Sequence, residues 1–481
     1  MIQEWQPVIG LEIHAQLNTR SKLFSRAPNR FGDEPNTNIT SVCTGQPGTL
    51  PILNREAVKK AVQLGCALNS HIARKSRFDR KSYFYPDNPR NFQITQFEEP
   101  IIVGGEVVVE LDGELKKFSI DHAHIEDDTG MLKHFSNFAG IDYNRAGTAL
   151  IEIVSTACMH SAREASSYAM ALREILLYLD ISDCNMEEGS LRIDVNVSVR
   201  RKQETALRPK IEIKNMNSFH HMELAINAEI ARQIRIYEQE GDIQVGTYRF
   251  DIEKKETILM RKKEKPADYR YFPEPDLPPI LLTDAFIEEI RNNLPELPAA
   301  RYKRYVEVLG LSRDAAVQLV SDKPTSDYFE ETLKNSSNAK SLCNWLLVEF
   351  SGRVKQNNTT LLKLEIPPHH VATLVNLIDS GTITGKIAKS VADEMVQNPQ
   401  KDPAHIVQEN PDFRPIDTAS IEPLVDAVLA ENSESVRDYL AGKGRAFDFL
   451  VGQVMKRCKG KASPELVNQL LRSKIDSQGL G

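Results

Sequence analysis

The chain has 481 residues, 41% of them hydrophobic, and a formal net charge of −7 at pH 7, which supports two or three domains with separate cores. The acidic balance argues against a general nucleic-acid binder, because phosphate contacts need locally concentrated Lys and Arg. No apolar run approaches the ~20 residues that cross a bilayer, and the first residues lack a signal-peptide pattern, so we expect a cytoplasmic protein.

The first predicted strand covers residues 8–17, where apolar and polar residues alternate. Alternation puts successive side chains on opposite faces of a strand, so Glu12, His14 and Gln16 share one face. Such neighbours are about 6.5–7 Å apart, which lets Glu12 and His14 contact one ion or one phosphate oxygen. A solvated edge strand is the alternative interpretation of this stretch taken alone.

A segment that mixes cations, aromatic residues and two prolines follows at 78–93. Lys81 and Arg90 are suited to hold an anionic substrate there, and Tyr83 offers a ring face for stacking. An ordinary packed surface loop has the same composition, so both interpretations stand. Residues 267–276 repeat this mixture and leave the same two alternatives.

Residues 122–130 alternate through two histidines to Glu126 and then reach Asp127 and Asp128 before a turn glycine. Carboxylates at close range raise one another's pKa, so a native cluster of them needs a metal, an arginine or exposure to water. A solvated acidic turn is therefore the alternative to a metal site. Further along, Glu152 is a single carboxylate in the apolar strand 149–154, where an unpaired charge would be costly to bury.

These segments together supply oxygen donors and one imidazole, a mixture that suits Mg²⁺ or Mn²⁺ better than thiolate-bound zinc. The candidate set is Glu12, His14, Glu126, Asp127 and Glu152. Mg²⁺ commonly bridges nucleotide phosphates, so the set predicts phosphate chemistry. No Walker sequence is present, and a nucleotide site must therefore be of another type.

The remaining pattern up to about residue 280 predicts an α+β fold in which helices layer a large mixed or antiparallel sheet. Residues 107–111 and 117–120 read as a hairpin joined at an Asp-Gly turn. The stretch 191–200 alternates strictly and puts Arg192, Asp194 and Asn196 on one face. Helical spacing covers 162–179 and 222–239.

Past the proline-rich stretch 272–279 the strand patterns nearly vanish, and helical spacing continues to about residue 407. A third piece begins near residue 410. From Ser435 onwards it contains nine basic and four acidic residues, an excess that favours contact with a polyanion. We therefore predict domains at 1–293, 294–407 and 408–481.

Absent motifs narrow the chemistry further. Gly189 and Ser190 are not part of a G-x-S-x-G elbow, no Ser and Lys arrangement of an amide hydrolase is visible, and no cysteine lies in a nucleophile signature. The six cysteines are scattered, which argues against a disulfide framework and a structural zinc site. We expect that the chain does not cleave amides itself.

The sequence resembles, essentially end to end, the B subunits of the aspartyl/glutamyl-tRNA(Asn/Gln) amidotransferases, the GatB family. The stretches that carry the resemblance are 8–14 (VIGLEIH), 78–87 (FDRKSYFYPD), 144–148 (NRAGT), 150–155 (LIEIVS), 186–192 (MEEGSLR) and 268–276 (DYRYFPEPD). The resemblance implies a catalytic, kinase-like cradle domain, then a helical domain, then a tRNA-binding tail.

It also implies a carbon–nitrogen ligase that is one part of a heteromeric complex and uses ATP and Mg²⁺ to phosphorylate the side-chain carboxylate of Glu-tRNA(Gln) or Asp-tRNA(Asn). Ammonia from glutamine then displaces the phosphate. In the family the amidase (A) subunit supplies the ammonia through a tunnel, and the small (C) subunit holds the heterotrimer together. A tRNA-binding scaffold without catalysis and a stand-alone amino-acid ligase are the competing hypotheses, the second disfavoured by the basic tail.

The resemblance implies metal and catalytic roles for Glu12, His14, Asp127 and Glu152, and a catalytic role for Glu126 as well. Relatives commonly carry a glutamate where Asp127 stands, so the metal ligand expected at Asp127 is one methylene shorter. Which carboxylate of the turn at 126–128 binds metal stays open from the sequence.

Other positions follow from the same resemblance. Lys81 matches a lysine of the polar ammonia path, which together with Tyr83 and Arg90 forms the predicted substrate and ammonia route. Arg90 stands where lysine is frequent, which fits a charge gate better than a proton shuttle. Thr40 replaces the first cysteine of a C-x-x-C pair that ends at Cys43, so zinc is not expected. The predicted tRNA-binding residues are Lys456, Arg457, Lys459 and Lys461.

Overall fold

The computed structural model describes residues 4–262, 266–413, 418–458 and 461–478, and the chain folds as two units, Met1–Ala299 and Ala300–Gly481. The first unit contains a large mixed sheet with helices, and the second is helical. The predicted α+β class is therefore confirmed. The three-domain division at 293 and 407 stays a prediction.

A ten-stranded sheet forms the centre of the first unit, with the strand order β15-β14-β13-β12-β1-β11-β8-β6-β2 and β7 paired to β8. Its pairs are antiparallel except for β13 with β14. The strands are β1 (Trp5–Gln16), β2 (His71–Ile72), β3 (Lys75–Ser76), β4 (Asp79–Ser82), β5 (Phe92–Thr95), β6 (Ile102–Val103), β7 (Glu106–Leu111), β8 (Glu114–Asp127), β9 (Met131–His134), β10 (Ala139–Asp142), β11 (Ala149–Ser155), β12 (Leu191–Arg201), β13 (Ile211–Met216), β14 (Gly246–Asp251), β15 (Glu256–Lys262), β16 (Phe272–Pro273) and β17 (Ile280–Leu281).

The period-two alternation gives this sheet one apolar and one polar face. Residues of the central strands that face the core are Ile9, Leu11, Ile13, Ala123, Ile125, Ile151, Ile153, Ile193, Val195, Ile211 and Ile213, all of them buried. Apart from Gly10, the residues between them are acidic or histidine and point to the opposite face: Glu12, His124, Glu152, Asp194 and Glu212. One face of the sheet therefore packs against the core, and the opposite face presents the polar side chains that could form a site.

In its described residues the first unit contains the α-helices α1 (Arg55–Ala67), α2 (Ala162–Tyr178), α3 (Phe219–Glu238) and α4 (Asp284–Asn292). The helix α2 begins at Ser161, whose hydroxyl accepts a hydrogen bond from the Glu164 amide at 3.1 Å. Its buried residues Ala165, Ala169 and Leu172 recur every three or four positions, so one face of the helix packs on the core. The predicted helices at 162–179 and 222–239 are thus confirmed.

The predicted hairpin is also confirmed, because β7 and β8 pair antiparallel around Asp112 and Gly113. Both residues have positive φ, 54° and 84°, which an Asp-Gly pair tolerates in a two-residue turn. The strand β8 then runs on to Asp127 without a break. This continuity decides which acidic residues share a face.

The two loops rich in cations and aromatic residues, far apart in sequence, pair with each other in the structure. The short strand β16 lies antiparallel to β4, with Phe272 opposite Arg80. The Arg80 guanidinium donates two hydrogen bonds to the Glu274 carboxylate, at 2.7 and 2.9 Å. The pair ties the segment that follows Tyr269 to the segment that holds Lys81.

From residue 298 onwards the chain is helical. Its helices are α5 (Pro298–Glu307), α6 (Arg313–Val320), α7 (Lys323–Leu333), α8 (Ala339–Asn344), α9 (Ser351–Gln356), α10 (Pro368–Asp379), α11 (Gly385–Gln397), α12 (Pro403–Glu409), α13 (Thr418–Glu431), α14 (Ser433–Leu440), α15 (Gly444–Arg457) and α16 (Pro464–Gln478). The last four enclose their own core, which includes Val425, Leu450 and Leu471. Among the described residues, no helix is both long enough and apolar enough to span a membrane.

Candidate active site

Four neighbouring strands place polar side chains in one row across the sheet. His124 on β8 lies opposite Glu152 on β11, Glu152 lies opposite His14 on β1, and His14 lies opposite Arg192 on β12. Because directly opposite residues point to the same face of a sheet, all four project from the polar side. Pairing thus assembles a site that no single strand could form.

His14, His124, Glu126 and Glu152, here called the histidine–glutamate cluster, lie within contact distance of one another. The Nε2 atoms of His14 and His124 lie 3.2 and 3.3 Å from Oε2 of Glu152. Glu126 is 3.8 Å from His14 and 3.7 Å from His124. One glutamate oxygen therefore joins both imidazoles, and the second glutamate closes the group.

Burial and the neighbouring opposite charges have opposite effects on the pKa values of this cluster. Burial lowers the pKa of both histidines, but Glu152 and Glu126 outweigh it and raise the pKa of His14, and that of His124 to about 9. Burial likewise raises the pKa of Glu152, yet the two histidines hold it well below its ordinary value. The carboxylates are therefore ionised at neutral pH and need cationic partners.

The donor set of the cluster fits a divalent cation. Ligand atoms of His14, Glu126 and Glu152 lie within 4.8 Å of one another. Two carboxylates and an imidazole are ligands that Mg²⁺ and Mn²⁺ accept, with water filling the other positions. His124 Nδ1 is buried without a hydrogen-bond partner among the described residues, while its Nε2 contacts Glu152.

Glu12 stands apart from His14 in a second group, the acidic–lysine cluster of Glu12, Asp194, Glu212 and Lys214. Ligand atoms of the three carboxylates lie within 4.8 Å of one another. The Lys214 ammonium lies 2.7 Å from Asp194 and 3.7 Å from Glu212. Burial lowers the pKa of Lys214, but the neighbouring carboxylates outweigh it and raise the pKa. The lysine thereby balances much of the negative charge.

Asp127 lies outside the histidine–glutamate cluster and has partners of its own. Its carboxylate forms an ion pair with Arg90 and accepts a hydrogen bond from the Ile94 amide at 2.9 Å. Because β8 continues through residue 127, alternation turns Asp127 to the opposite face from Glu126. Glu126 is therefore the carboxylate of this turn that reaches the histidine–glutamate cluster.

Each acidic residue of the turn has a different cationic partner. Asp128 accepts hydrogen bonds from Arg192 at 2.8 Å and from Gln16 at 3.1 Å. Burial raises the pKa of Asp128, but Arg192 and Arg145 outweigh it and lower the pKa. The acidic turn is therefore not a solvated loop. Arginines compensate the charges of Asp127 and Asp128, and only Glu126 of the three faces the histidine–glutamate cluster.

We expect Glu126→Gln to weaken Mn²⁺ binding to the full-length chain and Asp127→Asn to leave it unchanged. Removing a residue that hydrogen-bonds to a metal ligand lowers metal affinity roughly 10- to 100-fold, and removing a ligand itself should lower it at least as much. Titration followed by electron paramagnetic resonance of free Mn²⁺ measures both variants. Weaker binding in Asp127→Asn alone would reverse the assignment.

The residues predicted for substrate and ammonia lie beside the cluster. The Lys81 ammonium is 5.2 Å from the centre of the Tyr269 ring. Burial raises the pKa of Glu126, but both histidines and Lys81 outweigh it and lower the pKa. Tyr83 is half-buried, and burial together with Asp87 raises the pKa of its phenol. Lys81 is thus the cation of the loop that acts on the cluster.

Several residues of the site were not among the sequence candidates. His124 stands in the alternating segment before the acidic turn, and Asp194 and Arg192 stand in the strictly alternating strand. Period-two spacing alone could have placed these three on the functional face. Glu212 and Lys214 lie on β13, which carried no predicted pattern, and only its pairing with β12 brings them to the site.

The predicted tRNA-binding cations lie at the end of α15 and just after it. Lys456 is exposed, whereas Arg457 forms an ion pair with Glu431. Lys461 lies 2.7 Å from Asp412, and Lys459 lies outside the described residues. Acidic residues that precede Ser435 in the sequence therefore neutralise part of the basic excess counted after it.

Comparisons with known proteins agree over most of the chain. A family described as "GatB/GatE catalytic domain" matches residues 7–288, and one described as "GatB domain" matches residues 327–475. The B subunit of the aspartyl/glutamyl-tRNA(Asn/Gln) amidotransferase of Protochlamydia amoebophila is 63% identical over 479 residues, 98% of this chain and 97% of that protein. The corresponding protein of Chlamydia abortus is 55% identical over 475 residues, 97% of this chain and 98% of its own length.

Proposed function

The chain belongs to the GatB family of aspartyl/glutamyl-tRNA(Asn/Gln) amidotransferase B subunits, and we propose that its histidine–glutamate cluster is where ATP activates the substrate carboxylate. As a member it is one component of a heteromeric ligase that converts misacylated Glu-tRNA or Asp-tRNA into Gln-tRNA or Asn-tRNA. The function predicted from the sequence is therefore confirmed at this level. The roles of individual residues and the identity of the partner chains are proposals.

The observation that carries the proposal is the row formed by His124, Glu152 and His14, which presents a divalent-cation donor set beside lysine and arginine side chains. Glu126 and Glu152 with His14 would hold Mg²⁺. When bound there, Mg²⁺ supplies positive charge to phosphate oxygens during transfer. Fixed cations and ionised carboxylates on a rigid sheet suit that chemistry because they need little reorganisation.

An ionised side-chain carboxylate is a poor electrophile, so amide formation needs prior activation. Transfer of the γ-phosphoryl group of ATP to that carboxylate gives an acyl phosphate with a good leaving group. The reaction brings two anions together, and Lys81 and Arg192 lie where they offset that repulsion. Lys214 screens the adjacent carboxylates of Glu12 and Asp194 in the same way.

Ammonia displaces the phosphate, and we propose that it comes from a separate amidase (A) chain, with a small third (C) chain completing the complex. Free ammonia is mostly protonated in water at neutral pH and is then no nucleophile, so a desolvated path that keeps it neutral is required. Lys81, Tyr83 and the Arg90–Asp127 ion pair line the proposed route. Arg90 acts there as a charge gate rather than as a proton shuttle.

We further propose that the last four helices bind the tRNA in the cytoplasm, where charged tRNA is made. The exposed Lys456 on α15, with Arg457, Lys459 and Lys461, supports this assignment, because phosphate contacts depend on such cations. The ion pairs of Arg457 and Lys461 can exchange a carboxylate for a phosphate.

Trapping of the activated carboxylate tests the proposal. The assembled enzyme is incubated with misacylated tRNA, Mg²⁺ and γ-³²P-labelled ATP, without glutamine or ammonium, and quenched into hydroxylamine, which converts an acyl phosphate into a hydroxamate. Hydroxylamine also opens the aminoacyl ester of any charged tRNA and gives an α-hydroxamate, so the readout is the side-chain hydroxamate. We expect labelled tRNA before the quench and an ATP-dependent side-chain hydroxamate after it, with misacylated tRNA but not with Gln-tRNA. ATP left intact and no side-chain hydroxamate would favour a scaffold without catalysis.

A further inference from the structure

Lys22 is a fully buried lysine whose ammonium has no carboxylate oxygen within 4.0 Å among the residues that the structure describes. Its Nζ donates hydrogen bonds to the carbonyl oxygens of Ala146 at 2.7 Å and Tyr143 at 3.2 Å. In its third direction lies Sγ of Cys43, at 3.8 Å. A buried ammonium needs an anionic partner or must lose its proton, and Cys43 is the ionisable group at hand.

The surroundings of Cys43 match those of a thiolate. The Ser25 hydroxyl lies 3.2 Å from Sγ and the Thr40 hydroxyl 3.5 Å from it, so two hydroxyls and one ammonium can donate to the sulfur. Burial raises the pKa of the Cys43 thiol, but Lys22 and these hydroxyls outweigh it and lower the pKa. Burial also lowers the pKa of Lys22, which makes a neutral amine accessible.

Four other buried cysteines lack this environment. Burial raises the pKa of Cys66, Cys184, Cys343 and Cys458, and at none of them do the neighbours outweigh it. Arg291 opposes burial at Cys66 and Arg173 opposes it at Cys184, but the pKa of each of these thiols is still raised. Cys43 is thus set apart by its neighbours rather than by its degree of burial.

We propose that Cys43 and Lys22 form an oxidation site at which peroxide creates a covalent sulfur–nitrogen crosslink. The Cys43 thiolate attacks one oxygen of hydrogen peroxide, the O–O bond breaks and hydroxide leaves, so the sulfur becomes a sulfenic acid and the peroxide is reduced. The Lys22 amine then attacks that sulfur, the S–O bond breaks and water leaves, and nitrogen gives up one proton. The net change in the protein is the loss of two hydrogens.

The position of Cys43 and Lys22 determines how peroxide reaches them and what the crosslink does to the enzyme. Cys43 is 5% exposed, and between β1 and α1 the described chain contains neither helix nor extended strand, so small openings admit peroxide. The crosslink removes the Lys22 charge and weakens its hydrogen bonds to the turn at 143–148. That turn leads directly into β11, the strand that carries Glu152. Oxidation should therefore lower amidation several-fold, and a thiol reductant should restore it.

Peptide mapping of the assembled enzyme after brief peroxide treatment tests this. We expect a joined peptide that contains residues 22 and 43, lighter by two hydrogens, uncleaved by trypsin after Lys22 and lost on reduction, with half-buried Cys158 as the reference thiol in the same digest. Cys43→Ser should yield no joined peptide and an activity that peroxide no longer lowers through this site.

Lys22→Met should yield no joined peptide and slower oxidation of Cys43, because the cation that lowers the pKa of the buried thiol is gone. If that variant fails to fold, the wild-type and Cys43→Ser chains decide. Three results in the treated wild type would each overturn the proposed bond. They are a free Cys43 thiol, an oxidised Cys43 without a joined peptide, and a joined peptide that keeps an extra oxygen.

Discussion

Glu152→Gln should lower formation of the activated carboxylate by about 10³-fold while the glutaminase activity of the partner chain stays measurable. Oε2 of Glu152 contacts the Nε2 atoms of both His14 and His124, so the amide removes the charge that joins the two imidazoles and that, in the proposed site, would bind a divalent cation. The substitution keeps the shape of the side chain, and the strand should therefore fold unchanged.

Hydroxamate trapping and ammonium-dependent amidation measure the effect on the assembled enzyme. Glu164→Gln is the matched control, because the Glu164 side chain is 15% exposed and that of Glu152 is 14% exposed. Glu164 lies on α2 and pairs with Lys116, away from the cluster, so its amide should leave activity unchanged. Full trapping by the Glu152 variant would move the reaction away from this cluster.

Arg80→Met should destabilise the first unit by about 3–5 kcal/mol. The Glu274 side chain is 1% exposed and accepts both hydrogen bonds of the Arg80 fork, so the substitution leaves a buried carboxylate without its cation. The Arg80 guanidinium also lies 4.2 Å from the centre of the Phe92 ring, a contact that methionine keeps in part. Replacing both partners, in Arg80→Met with Glu274→Met, should recover most of the loss.

Urea unfolding followed by the fluorescence of Trp5 measures this change, in a Trp345→Phe background that removes the tryptophan of the second unit. The control is Arg74→Met, which breaks an ion pair with Asp284 that is mostly exposed and should cost under about 1 kcal/mol. If Arg80→Met and Arg74→Met lowered the free energy of unfolding equally, Arg80 and Glu274 would not be a buried pair. If Arg80→Met with Glu274→Met recovered no stability, the two residues would not be energetically coupled.

Period-two spacing was enough to predict which residues share the polar face of the sheet, because alternation is a local property of the chain. Glu12, His14 and Glu152 lie on that face in the structure. The sequence did not settle which acidic residue of the turn lies there, since the family resemblance pointed to Asp127 while alternation along β8 puts Glu126 on that face. The metal-ligand roles of these residues stay predictions.

Pairings between distant segments could not be predicted in this way. Whether Glu12 shares an ion with His14 or with Asp194 depends on the register between β1 and β12, which β1 alone does not encode. The pairing of β4 with β16 joins segments that the sequence separates widely, and each looked like an ordinary polar loop. Lys22 and Cys43 likewise meet only through the fold.

The place of β1 in the sheet also affects how the protein is made. The strand β1 lies between β11 and β12, so most of its backbone hydrogen bonds are made with segments at 149–155 and 191–201. At ribosomal rates of about 5–20 residues per second, roughly 10–40 s separate its synthesis from theirs. During that time the backbone N–H and C=O groups on both edges of β1 have no strand to pair with, and the apolar side chains of β1 are exposed. We expect chaperones to bind the nascent chain at this segment.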